Sequence, residues 1–456
     1  MSLVHKCRHF NTADTLLALL LCAGLTPVAH ALDLNEALAR AERYDATLSA
    51  ALANYMAAEE TYPQSRAAML PDIRANAYYR DSSTKIEKSS TIPDGTTDYS
   101  ADGYSLTLNQ PIFNKTLWDN MDQSKALVAK AAADYEVAKQ DLIIRVAKAY
   151  FNVLGAQDNL AFTRAEKDAI SRQLEQSKER FNVGLIAITD VQESQASYDT
   201  AVANEIVAKN DLANSIEALR VLIGNQVSDI APLAEEFPLL APDPEDINEW
   251  QNRALQQNIG LRSSKYALDA AREAYNSSKG GHYPTLTFSA AYSFDSSDGN
   301  AYSIIGGNDQ TDTHLMLNLD VPIYQGGGTS SKVRQSASLV SAAQASVDQQ
   351  MRNTIQEVRT AYLGVTASIS SVKAFKQALI SAKTSVEATE AGFEAGTRTS
   401  VDVLLVQGRQ YESERNYARA RYNYLLTLLE LQRATGSLSR ENIQQINDWL
   451  NSKAKS

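Results

Sequence analysis

Two hydrophobic rhythms divide this chain. After Pro284, Leu286, Phe288, Ala290, Tyr292 and Phe294 alternate with Thr287, Ser289 and Ser293. Ahead of Pro322, Leu315, Leu317 and Leu319 alternate with Met316, Asn318 and Asp320, and earlier Tyr104, Leu106 and Leu108 alternate with Ser105, Thr107 and Asn109. A period of two predicts strands with one apolar and one polar face. A less regular fourth strand, "PDIRANAYYRDS", pairs naturally with 102–113. The links inside the two hairpins, "TIPDGTTDYSADG" and "DSSDGNAYSIIGGNDQTDT", are polar and read as long loops. Strands of about 10 residues span an outer membrane when tilted, and such loops suit its outside face.

The second rhythm has steps of three and four. Leu142, Val146, Ala149 and Val153 form one stripe, and Ile355, Val358, Tyr362 and Val365 another. Both lie in stretches without proline, 112–231 and 323 to the end. Proline costs a helix interior about 3 kcal/mol, so its absence permits long helices with coiled-coil-like seams. Residues 115–182 contain no strong breaker, which at 1.5 Å per residue gives a rod of about 100 Å. Such a rod is a spacer or the wall of something tall.

The pattern is written twice. "ERFNVGLIAITDV" (179–191) and "AGFEAGTRTSVDV" (391–403) share Phe181/Phe393, Gly184/Gly396, Asp190/Asp402 and Val191/Val403, each pair 212 residues apart. "AY" at 149–150 and 361–362, Gln195/Gln407 and Gly224/Gly436 keep the same spacing. "QPIF" at 110–113 and "VPIY" at 321–324 stand 211 apart, and Pro71 and Pro284 stand 213 apart. The chain reads as a tandem repeat. Its first unit is 32–230: a helix, the strand pair 71–113, the long helix 115–182 and a helix over 188–224. The second is 247–438, with the strand pair 284–324, a long helix 329–394 and a helix over 399–436. A linker, 231–246, joins them, and 439–456 is a C-terminal tail.

Two strands per unit give four per chain, too few to close a barrel. In lipid an open edge leaves backbone groups unpaired at several kcal/mol each. The chain is therefore expected to oligomerise. Two copies would give an eight-stranded barrel filled by side chains, and three a twelve-stranded barrel with a lumen. Polar inner faces and tall helical walls favour the open version.

Composition narrows the function. Lys6 and Arg8, the apolar run "LLALLLCAGL" and "AHA" at 29–31 form a secretory signal over 1–31. Cys22 follows Leu21 rather than a small residue, so no lipid anchor is expected. Both cysteines, Cys7 and Cys22, lie in the signal, and only His282 and His314 follow it. Thiol nucleophiles, His-based triads and Cys/His metal clusters are thereby set aside, and no cofactor or structural metal is expected. Removing the signal takes the formal net charge from −11 to −12, a poor balance for nucleic acid. No other stretch approaches the ~20 apolar residues of a spanning helix.

Gly184 and Gly396 interrupt helical patterns and read as tight turns between antiparallel helices, where φ > 0 is needed. Thr189 with Gln192, and Thr399 with Asp402, have capping-box spacing. Asp190 and Asp402 are also what helix electrostatics alone would place in a first turn. Arg398 differs, because the position 212 residues earlier is Ile186. Tyr78, Tyr79, Phe113, Tyr283 and Tyr324 suit interface girdles, weakly. "QGGG" at 325–328 is expected to relieve crowding between strand and helix, and it lacks the Lys-Ser/Thr of a phosphate loop.

The segments "ERFNVGLIAITDVQ", "VPIYQGGG", "AGTRTSVDVL" and "ARYNYLLTLLELQRATGSL" closely resemble the TolC family of outer-membrane channel-tunnel proteins, and the resemblance covers essentially all of 32–440. It implies a mixed α/β membrane protein: a homotrimer whose twelve-stranded barrel sits among outer-membrane lipids. A twelve-helix tunnel continues it through the periplasm. It implies docking to periplasmic adaptor proteins and to inner-membrane efflux pumps and type I secretion transporters. The function implied is an exit duct for drugs, toxins and secreted proteins, without chemistry of its own. Val183, Gly184 and Leu185 match the family's docking tip. Ala395, Gly396 and Thr397 form the second tip, where the family usually has Val first. Arg398, with Thr189 and Asp190 of the neighbouring coil, matches the network that holds the entrance shut. Phe393 stands where the family's gate has a tyrosine and lacks its hydroxyl. Asp402, repeated three times about the axis, would ring the constriction and could hold multivalent cations. Where the best-matching pattern has a second acid one turn later, this chain has Leu405, an apolar collar. The rivals are a periplasmic coiled-coil adaptor or stalk without a channel, which leaves the strands unexplained, and an enzyme, for which convergent titratable groups are missing.

Overall fold

The computed structural model describes residues 31–88, 94–224, 229–299 and 307–450. The expected signal, but for its last residue, lies outside the described residues. So do parts of both hairpin links and residues 451–456. In order, the elements are α1 (Leu34–Tyr44), α2 (Ala46–Glu59), α3 (Thr61–Ala67), β1 (Asp72–Ile86), β2 (Gly95–Phe113), α4 (Lys115–Asn182) and α5 (Ile188–Ile223). Then come α6 (Ile247–Gln257), α7 (Ile259–Gly280), β3 (Thr285–Ser297), β4 (Asn308–Asp320), α8 (Gly328–Glu394), α9 (Ser400–Thr435) and α10 (Arg440–Leu450).

The strands form one antiparallel sheet in the order β1-β2-β3-β4. Its register puts the apolar positions on one face. Ile73 stands opposite Leu108, Leu108 opposite Ala290, and Ala290 opposite Leu315. Among the described residues nothing covers much of this face, and Leu315 is 73% exposed. On the other face the Tyr78 hydroxyl crosses Gly103 to donate to Asp295 Oδ1 at 2.7 Å. A Cβ at residue 103 would lie 2.9 Å from the Tyr78 ring, so only glycine leaves this passage open. Tyr78 therefore belongs to the polar face rather than to an outer girdle with Tyr79, because neighbours in a strand point oppositely. The outer edges of β1 and β4 have no partner strand among the described residues.

Much of what reads as loop is strand. β1 and β2 pair as far as Ile86 opposite Gly95, and β3 and β4 as far as Ser297 opposite Asn308. The strands have 15, 19, 13 and 13 residues, longer than a membrane alone requires. Threonine and tyrosine, which favour strands, recur among the polar residues beyond the apolar part. Among the described residues no helix is long and apolar enough to cross a membrane.

α4 and α8 run 68 and 67 residues. Asn114 caps α4, its side chain accepting from Leu117 N–H at 3.3 Å. Gly326 and Gly327 have φ of +60° and +79°, and apart from the adjoining residues nothing among the described residues lies within 4 Å of a Cβ placed there. The "QGGG" segment thus serves a left-handed backbone rather than relief of crowding inside the chain.

The single helix expected ahead of each strand pair is split. Asp45 ends α1 and caps α2, accepting from Leu48 N–H at 2.7 Å, and Asn258 does the same between α6 and α7, accepting from Leu261 N–H at 2.9 Å. Asx side chains offer the backbone an alternative to helix continuation. The main core lies at mid-height, where Leu142, Val146 and Val153 of α4 and Val358 and Val365 of α8 join Leu425 and Leu429 of α9. The expected linker packs into it. Ala231 and Leu233 are buried, and Tyr150 Oη stands 3.0 Å from Leu32 O and 2.9 Å from Ala231 O. The expected tail carries α10, whose Ile443, Ile446 and Leu450 fill the same core. Asn447 Oδ1 there accepts from Leu34 N–H at 3.0 Å.

Arg145 makes a two-pronged contact with Asp45, at 2.8 and 2.9 Å, and holds its carboxyl below the usual carboxylate range, with the Leu48 N–H adding to the effect. A depressed pKa contributes stability in full above the unfolded value and loses it as pH falls through the folded value. Asp45→Ala should cost about 2–4 kcal/mol near neutral pH through loss of cap and ion pair. The gap from the parent should narrow in acid. Denaturant titration in detergent at both pH values checks this, and an unchanged gap would contradict it.

Candidate functional site

The turns at 183–187 and 395–399 join α4 to α5 and α8 to α9. The length of the helices puts them about 100 Å from the sheet. Both close in the same way. Leu185 N–H donates to Arg180 O and Gly184 N–H to Phe181 O, each at 2.9 Å. Thr397 N–H donates to Gly392 O at 2.8 Å and Gly396 N–H to Phe393 O at 3.1 Å. These are Schellman closures, which require a left-handed residue. Gly184 and Gly396 supply it at φ +78° and +77°. Val183 and Leu185 are 71% and 72% exposed, so the first tip is an uncovered apolar knob. Ala395 and Thr397 at the second tip are exposed as well.

The helix starts that follow differ. Thr399 forms a full capping box with Asp402: Thr399 Oγ1 accepts from Asp402 N–H at 3.2 Å, and Asp402 Oδ2 accepts from Thr399 N–H at 2.9 Å. At the first tip the cap is Ala187, without a side-chain hydrogen bond. The Thr189–Gln192 spacing therefore misleads, because Thr189 already lies inside the helix. The position 212 residues before Thr399 is Ala187. Thr189 is exposed, Asp190 is half-buried, and neither side chain makes a hydrogen bond or ion pair among the described residues. The α4–α5 hairpin is held behind them by the buried Ser177 and Ser194 hydroxyls, 3.2 Å apart.

The Thr399 N–H, then the Thr399 hydroxyl and the Arg398 charge, hold the Asp402 carboxyl below the usual carboxylate range. It stays ionised at physiological pH and keeps a negative charge at the tip. Leu405, one turn on, is 54% exposed. Arg398 is exposed, and its side chain makes no hydrogen bond or ion pair among the described residues. Within one chain it does not reach Thr189 or Asp190. Its stem packs over Gly392, where an added Cβ would lie 2.9 Å from Arg398 Cγ.

Phe393 is buried, and Arg180 of α4 places its guanidinium 4.1 Å from the ring centroid. Sequence reasoning passed over Arg180 and Gly392. The signal was there, since 180 and 392 are 212 apart and hold different residues, yet the contact between hairpins is invisible without coordinates.

The family model described as "Outer membrane efflux protein" matches residues 34–225 and 250–437. The outer membrane protein TolC of Vibrio cholerae is 37% identical to this chain over 95% of it and 98% of the relative. The proteases secretion protein PrtF of Dickeya chrysanthemi is 26% identical over 93% of this chain and 92% of its own. The solved CmeC outer membrane channel of Campylobacter jejuni shares the fold, with a TM-score of 0.77 at 18% identity, covering 92% of this chain and 90% of that one. With four strands, long helices and two matched segments that together span most of its length, this chain belongs to the outer membrane efflux protein family, whose members are channels rather than enzymes.

Proposed function

We propose that three copies of this chain close a twelve-stranded barrel in the outer membrane and continue it as a twelve-helix periplasmic tunnel. The duct exports drugs and secreted proteins for inner-membrane transporters that reach it through adaptor proteins. The observation that carries this reading is the sheet itself, with an apolar face uncovered and both edges unpaired among the described residues. Lipid tolerates neither free edge, and three such sheets end to end have none. The two matched segments of the family model and the 212-residue spacing support an origin by tandem duplication. The protease secretion relative supports protein as one class of cargo.

In this reading the tips form a gate. The Schellman and capping bonds satisfy the turn within the chain, which leaves Arg398, Thr189 and Asp190 available to a neighbouring chain. Arg398 bridges to the neighbour's Thr189 and Asp190 and holds the tunnel shut. Three copies of Asp402 ring the constriction, attract cations and can bind multivalent ones, with Leu405 as an apolar collar beside them. Val183, Gly184, Leu185, Ala395, Gly396 and Thr397 are the docking tips for the adaptor.

Single-channel recording in planar bilayers tests this. Arg398→Ser should raise conductance, since removing a contact of about 1.4 kcal/mol shifts an open–closed equilibrium roughly tenfold. Gly392→Ala should open the channel in the same direction by displacing Arg398 without removing its charge. Asp402→Asn should lower cation preference. Parent-like conductance and selectivity in all three would reduce these residues to caps and solvated charge.

A further inference from the structure

We infer that Arg180 is a second latch of the gate, acting inside each chain by holding the face of the Phe393 ring. The inference rests on the gate reading above. Arg180 lies in the last turn of α4 and Phe393 in the last turn of α8, so the pair joins two different helical hairpins. The guanidinium carbon stands 4.1 Å from the ring centroid, well inside the range of a cation–π contact. The Arg180 side chain makes no hydrogen bond or ion pair among the described residues, so the ring face is its one polar engagement there.

Burial shows that the ring is held rather than merely present. Phe393 is 7% exposed, whereas Phe181, 212 residues earlier at the same place in the other turn, is 39% exposed. Phenylalanine has no hydroxyl to donate, so the ring face is what it can offer a cation. The residue 212 positions on from Arg180 is Gly392, and the arginine that packs over Gly392 is Arg398. Two cations, one from each hairpin, thus stand at the second tip with separate tasks. Arg398 is exposed and makes no hydrogen bond or ion pair among the described residues, and Arg180 reaches in from the other hairpin. Any opening that parts the hairpins at their tips must pull the guanidinium off the ring. A partly desolvated cation–π contact then resists opening even when the Arg398 contacts are broken.

Fluorinated phenylalanines at residue 393 test this, because each fluorine drains charge from the ring face while nearly preserving its size. Conductance is recorded in bilayers for phenylalanine and its mono-, di- and trifluoro forms, in the parent and in an Arg180→Met background. Open probability should climb stepwise with fluorine number in the parent, by roughly threefold to tenfold in all. It should stay level in Arg180→Met, which should itself already open more readily than the parent. A flat series in the parent overturns the latch. So does an equal climb in both backgrounds. If Arg180→Met does not assemble, the parent series, which keeps the arginine, decides alone. Arg398→Ser in the same membranes separates the two readings. If it opens the channel while the fluorine series is flat, the gate stands and Arg180 only packs. If neither changes conductance, both fall.

Discussion

The edges of β1 and β4, unpaired among the described residues, constrain everything else in this molecule. A lone four-stranded sheet with an uncovered apolar face is stable neither in water, where the face is exposed, nor in lipid, where the edges are. Joining copies edge to edge resolves both problems at once. In the proposed trimer the strands become walls, and each helix that leaves a strand continues the wall at the spacing the barrel dictates. The Gly326–Gly327 turn into α8 and the Asn114 cap on α4 are where the chain passes from strand to helix.

At the far end the same logic of satisfied backbone separates structure from function. The Schellman turns and the Thr399–Asp402 box use local bonds to finish the helices. What remains is Arg398, Thr189 and Asp190, whose side chains make no hydrogen bond or ion pair among the described residues, and Arg180, whose ring contact crosses between hairpins. The mid-height core, built from α1, α10, the 231–246 segment and the waists of the long helices, keeps the two hairpins in register over the distance between sheet and tips.

Much of this was legible in the sequence. Two proline-free stretches with three-four stripes marked α4 and α8, and apolar alternation marked the middles of the strands. The ends of the strands were not legible, because serine and threonine there look like loop until the ladder is seen. Nor was the split between α1 and α2, since Asp45 ends a helix by geometry that spacing alone does not reveal. The tail escaped notice although Ile443, Ile446 and Leu450 carry a helical period over one short run. At the tips, glycine identity and the Thr399 box were readable, whereas the Thr189–Gln192 spacing suggested a cap two residues beyond the true one at Ala187. Arg180 shows the limit most plainly, because its partner lies in the other hairpin.

The most direct measurement is the mass of the detergent-extracted complex by native mass spectrometry. Closure by edge pairing predicts a single species of three chains, with monomer appearing only on denaturation. A complex of one or two chains would contradict it, because the four strands of each could not then enclose an open lumen.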